Sequence, residues 1–151
     1  MKKSMMSVFI LAMVAWAPFV YAEPAPEALR QTIRDYIANE EKAKGAFEIM
    51  DERTGDLRQL EFVRVHERVG KTGNYYYSCT DMKDVKTGDL LDLDFDIQDE
   101  GGNLTVADIR IHKDNGNPRF TYDENDNRIP VKAKENSKKG HEHGGKEHGG
   151  K

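Results

Sequence analysis

From Glu27 to Lys44 apolar residues recur at the helical period: Leu29, Ile33, Tyr36 and Ile37 form one stripe among charged neighbours. Pro24 and Pro26 suit the start of such a helix and Gly45 its C-terminal stop. From Ala46 to about Tyr122 the period drops to two, the repeat of strands. Leu91, Leu93, Phe95 and Ile97 share one face of a strand, while Asp92, Asp94 and Asp96 share the other. Beyond a turn at Glu100-Gly101-Gly102-Asn103, Thr105, Ala107, Ile109 and Ile111 alternate with Val106, Asp108, Arg110 and His112. Pairing Phe95 with Ala107 matches the apolar faces and sets Asp92 opposite Arg110. By the same parity Tyr75, Tyr77 and Cys79 occupy the buried face of the preceding strand, with Tyr76, Ser78 and Thr80 outside. Leu60 and Phe62 give way to Val63 and Val65, a change of parity that predicts a bulge. Phe120 and Tyr122 add a last short strand.

A short repeat fixes part of the topology. Asp51–Phe62 matches Asp84–Phe95 at seven of twelve positions, through the pattern Asp-x-x-Thr-Gly-Asp-Leu. Glycine at positions 55 and 88 supplies the left-handed backbone that closes a tight hairpin, so one turn is used twice. The expected architecture is α+β: one N-terminal helix packed on an antiparallel meander sheet of five to six strands.

The chain ends modify this picture. Lys2 and Lys3 precede an apolar run, Met5–Val20, and Val20 and Ala22 stand at −3 and −1 of a cut after residue 22. These are the parts of a secretory signal, so residues 1–22 are read as a signal peptide, 23–130 as the α+β domain and 131–151 as a disordered tail. The run is too short to serve as a membrane anchor, and the expected compartment is periplasmic or extracellular. Charge divides unevenly. Residues 23–130 carry 15 basic and 24 acidic side chains, a net of −9, whereas residues 131–151 carry a net of +3. An acidic body repels phosphate backbones, which argues against nucleic-acid binding. Cys79 is the only cysteine, so the core holds without an intramolecular disulfide.

Candidate chemistry lies first in the tail, where Glu-His-Gly-Gly-Lys occurs twice in succession at 142–151 with His141 just before. His141, His143 and His148 on a glycine-rich segment are a metal-ligand set suited to Zn²⁺, Ni²⁺ or Cu²⁺. Such binding weakens as pH falls through the imidazole range near about 6.5. The aspartate row at 92, 94 and 96 reads as a solvated sheet face, since neighbours on one side of a strand lie roughly 6.8 Å apart. Asp123–Asn127 begins like a calcium loop, but Arg128 replaces the turn glycine and Lys134 the bidentate glutamate. His66 and His112 read as rim residues and Cys79 as a core thiol on the opposite face from His112, which separates that pair. No nucleophile-elbow, zinc-protease, P-loop or dinucleotide motif is present in the sequence.

With its helix and the Asp-x-x-Thr-Gly-Asp turn at Asp51–Asp56, the stretch Glu27–Tyr122 resembles small exported domains of the cystatin-like and PepSY-like group. The resemblance implies a binding or inhibitory module that works beside another exported protein. Cystatins that block cysteine proteases carry a Q-x-V-x-G hairpin, which this chain lacks, so protease inhibition is not implied. Three functions are therefore expected in order: a non-enzymatic binding or accessory module in the periplasm; a metal-binding protein acting through its tail; and a small enzyme or ligand carrier with a cavity lined by Tyr36, Tyr75 and Tyr77.

Overall fold

The computed structural model describes residues 22–131. Helix α1 spans Pro26–Lys44, with Pro26 opening it, Glu27 in its first turn and Lys42 and Lys44 in its last, an arrangement that complements the helix dipole. Gly45 ends it in the left-handed conformation, its N–H donating to the Glu41 carbonyl. Leu29, Ile33 and Ile37 form the buried stripe, as their spacing predicts.

Six strands follow as an antiparallel meander: β1 Phe47–Met50, β2 Leu57–Thr72, β3 Tyr75–Asp84, β4 Leu90–Glu100, β5 Asn103–Asp114 and β6 Asn117–Pro118. The helix covers one face, where its stripe meets Phe47, Leu60, Met82, Leu91, Leu93, Phe95, Ile97 and Ile111 in one apolar core. Phe95 sits at its centre, 6.0 Å from the ring of Phe47 and 6.3 Å from that of Tyr36. The last strands, β7 Phe120–Tyr122 and β8 Arg128–Pro130, pair with each other as a separate hairpin. The sequence pattern assigned Phe120–Tyr122 to the main sheet and left Arg128–Pro130 without structure. The turn between them explains the hairpin, because both Asn125 and Asn127 donate backbone N–H groups to Asp123 Oδ1 at 2.8 Å. The calcium-like motif is thus a self-satisfied turn.

The repeated turns take the same form. Gly55 and Gly88 have φ of 77° and 78°, and each donates its N–H to the aspartate four residues before it. The side chain of Arg58 joins the two copies, reaching Asp84, Asp89 at 3.1 Å and Asp51 at 3.4 Å. The bulge expected in β2 is present, since the register shifts between Phe62 and Arg64 and leaves Val63 unpaired.

Two features of the expected register are corrected. Phe95 pairs with Ile109, not Ala107, and Asp92 pairs with Lys113, while Arg110 stands opposite Asp94. The tight turn at Gly101-Gly102 pairs Glu100 with Asn103 and brings Val106 opposite Ile97 on the core side. Further along, Ile109 and Ile111 face inward. These parities conflict within one strand, and an unpaired Ala107 reconciles them. In β3 the faces are opposite to expectation. Ser78 and Thr80 pair with Phe95 and Leu93 on the core side and are fully buried, whereas Tyr77 and Cys79 share the other face with the aspartates.

Candidate metal centre

The face of the sheet turned away from α1 is not solvated. Asp92, Asp94 and Asp96 are only 7 %, 0 % and 2 % exposed, and His112 is 8 % exposed. The β7–β8 hairpin covers them. Phe120 stacks on His112 at 4.7 Å, Tyr122 stacks on Tyr77 at 4.6 Å, the Tyr122 hydroxyl donates to Asp94, and Arg128 pairs with Asp96. The sequence pattern placed no strand after Tyr122 within the domain, which removed this cover from the sequence-based picture and left the aspartates in water. A turn sequence, Asp123–Asn127, flanked by two short β-prone segments was the signal for it.

A second bulge builds the centre. Between the pairs Asp92–Lys113 and Leu93–Ile111, His112 is an extra residue, so two residues of β5 face one aspartate. Its Nδ1 lies 3.7 Å from Cys79 Sγ, 3.5 Å from Asp94 Oδ1 and 3.8 Å from Asp92 Oδ2. Cys79 itself donates its thiol proton to Asp94 Oδ1 at 2.7 Å. The histidine and the cysteine that the expected register kept apart are therefore neighbours. One sulfur, one imidazole nitrogen and two carboxylates offer ligand atoms all within 4.8 Å of one another.

The charges around this cluster are unevenly met. Asp96 is held by Arg110 at 2.7 Å and by Arg128. Asp92 Oδ2 receives Lys113 at 2.8 Å, but its Oδ1 is buried with no hydrogen-bond partner among the described residues. Among the described residues Asp94 has neither a lysine nor an arginine partner. Burial by itself would raise the Asp94 carboxyl, but His112, Cys79 and Tyr122 outweigh it and hold it below the ordinary value. Burial, reinforced by the Asp94 charge, pushes the Cys79 thiol up. Burial and Asp94 likewise raise the Tyr122 hydroxyl. A thiol so disfavoured as a thiolate is a poor nucleophile.

Next to this cluster lies a second group. His66 Nε2 is 2.9 Å from Asp81 Oδ1, Arg64 holds Asp81 Oδ2 at 2.8 Å, and the ligand atoms of His66, Asp81 and Asp92 also lie within 4.8 Å of one another. The tyrosines expected around a cavity are dispersed: Tyr36 packs on Phe95, Tyr75 is 39 % exposed, and Tyr77 stacks on Tyr122. An apolar-floored groove of about 280 Å³ lies instead between Ile49, Met50, Ile109 and Phe120, and its rim arginines Arg110, Arg119 and Arg128 are paired with aspartates. His141, His143 and His148 lie outside the described residues, as does the apolar run near the start of the chain. No helix among the described residues is long and apolar enough to cross a membrane. Comparison of the chain with protein-family models, curated proteins and solved structures finds no match.

Proposed function

We propose that this is an exported metal-binding protein whose folded domain holds a divalent d-block ion, zinc foremost, through Cys79, Asp92, Asp94 and His112. The observation that carries the reading is the convergence of these four donors beneath the β7–β8 hairpin, where, among the described residues, Asp92 Oδ1 has no partner and the fully buried Asp94 has no lysine or arginine. Sulfur, imidazole and carboxylate donors together suit zinc and its neighbours, whereas calcium and magnesium take oxygen alone. Binding would replace the Cys79 proton by the ion and turn a strained group of acids into a ligand shell. A shell of four protein ligands leaves no open position for a substrate, so it supports holding or carrying the ion over catalysis. The domain remains a binding module, and its ligand is an ion.

The tail supports a second, weaker class of site. His141, His143 and His148 sit on glycine-rich sequence with no fixed geometry and would take Zn²⁺, Ni²⁺ or Cu²⁺ with little selectivity. Calorimetric titration of Glu23–Lys151 beside a chain ending at Asn136 separates the two classes. The shorter chain should keep a tight zinc site that Cys79→Ser and His112→Gln each weaken by at least about tenfold, on the scale of losing a ligand. Loss of all binding with the tail would refute the folded-domain site and leave the histidines as the only ligands.

A further inference from the structure

We infer that the centre takes two ions bridged by Asp92, the second held by His66 and Asp81; this rests on the reading of the first site. The pairs Asp81–Asp92 and Cys79–Asp94 stand directly opposite one another on β3 and β4, forming two adjacent rungs on the same face. The side chains of these rungs fall into two ligand groups: Cys79 and Asp94 gather with Asp92 and His112, whereas Asp81 gathers with His66 and Asp92. Two-metal centres space their ions by about 3.5–4 Å, and a carboxylate shared by two neighbouring ligand groups can reach both. Asp92 has that place here. It belongs to both ligand groups, and it is more than nine-tenths buried. Its Oδ2 lies 3.8 Å from His112 Nδ1, while its Oδ1 has no partner among the described residues. A carboxylate with one oxygen committed and the other unsatisfied is the group that a bridging role would use.

Charge and accessibility agree. Asp81, Asp92, Asp94 and the Cys79 thiolate supply four negative charges, which two divalent ions match once the thiol proton has passed to solvent. The cations that now neutralise the second group are the ones free to leave. Arg64 is 70 % exposed and Lys113 is 36 % exposed, so each can turn into water while keeping its backbone place in the sheet. Arg128 on Asp96, by contrast, is 22 % exposed and stays as part of the positive wall of the site. The His66 ring is itself 28 % exposed, which puts the second ion at the solvent side and the first beneath the hairpin.

Cobalt(II) is a probe that reports each ion separately, because only an ion bonded to Cys79 gives a thiolate-to-cobalt charge-transfer band. The protein to titrate is Glu23–Lys151 with the tail silenced by His141→Asn, His143→Asn and His148→Asn. Equilibrium dialysis should find two cobalt ions per chain. His66→Ala, and separately Asp81→Asn, should reduce this to one ion with the charge-transfer band intact, while Cys79→Ser should abolish the band. A parent protein that binds one ion with the band present overturns the two-ion inference and leaves the first site standing. Two ions retained in both His66→Ala and Asp81→Asn overturn it as well. Absence of both the band and bound cobalt removes the first site together with the second.

Discussion

Replacing Arg119 by methionine tests how the buried aspartates of this fold are kept. Arg119 meets Asp51 through two bonds, at 2.6 and 2.8 Å, and Asp51 is completely buried at the start of the first repeated turn. The Arg119 guanidinium, helped by the Arg53 backbone N–H and by Arg58 and opposed by burial, lowers the Asp51 carboxyl from 3.8 to about 2. That difference corresponds to about 2.4 kcal/mol of stability at neutral pH. Removing one partner of a buried pair costs roughly 3–5 kcal/mol when the other charge is stranded. Asp51 would keep Arg58 at 3.4 Å and the Arg53 N–H at 3.0 Å, which places Arg119→Met at about 2–3 kcal/mol, below that range. The contribution is present above the ordinary carboxyl value and is lost as pH falls through the folded value. Urea denaturation of both proteins at neutral pH and again near pH 2 should therefore show a gap that narrows in acid. A gap below about 1 kcal/mol at neutral pH, or one that persists unchanged near pH 2, would refute this account of Asp51.

Three further outcomes follow from the geometry. Gly55→Ala and Gly88→Ala should each cost about 1–2 kcal/mol, since both sites have positive φ and open space around a Cβ; thermal melts giving very different costs at the two turns would break their equivalence. Gly70→Ala should cost about 1–3 kcal/mol, because a Cβ there would overlap the Tyr77 ring, and near-ultraviolet circular dichroism should show the Tyr77–Tyr122 stack disturbed. Cys79 in the native protein should react with iodoacetamide at least about tenfold more slowly than in urea, and Asp94→Asn should speed the native reaction by removing the charge that opposes the thiolate.

What could be read in advance was local or strictly periodic. The helix, its glycine stop, the two Asp-x-x-Thr-Gly-Asp turns and the bulge near Val63 each rest on a few adjacent residues. The candidate centre was misread because parity was judged from polarity. Tyr77 and Cys79 look like core residues and Ser78 and Thr80 like surface, yet both pairs are largely enclosed on opposite faces. Ser78 is accommodated inside by donating to the carbonyls of His66 and Arg68 at 3.2 and 3.0 Å. Once a short hairpin covers the second face, alternation along β3 separates two interiors, and polarity no longer tells them apart.

The two bulges in β5 show how a small register change produces the chemistry. Without the extra residue at Ala107, the inward parity set by the Gly101-Gly102 turn would carry through the strand and direct Arg110 and His112 into the apolar core. With it, Ile109 and Ile111 face inward and Arg110 reaches Asp96. The extra residue at His112 then lets that side chain and Lys113 address Asp92 together, the imidazole from 3.8 Å and the ammonium from 2.8 Å. Without this second bulge the Leu93–Ile111 pairing would continue to Asp92 and His112, and Lys113 would turn to the other face of the sheet. The insertion thus adds to the imidazole, in Lys113, a counter-charge that stabilises Asp92 when no ion is held. Competition between Lys113 and an ion for one carboxylate is a physical basis for a site that can be both filled and emptied.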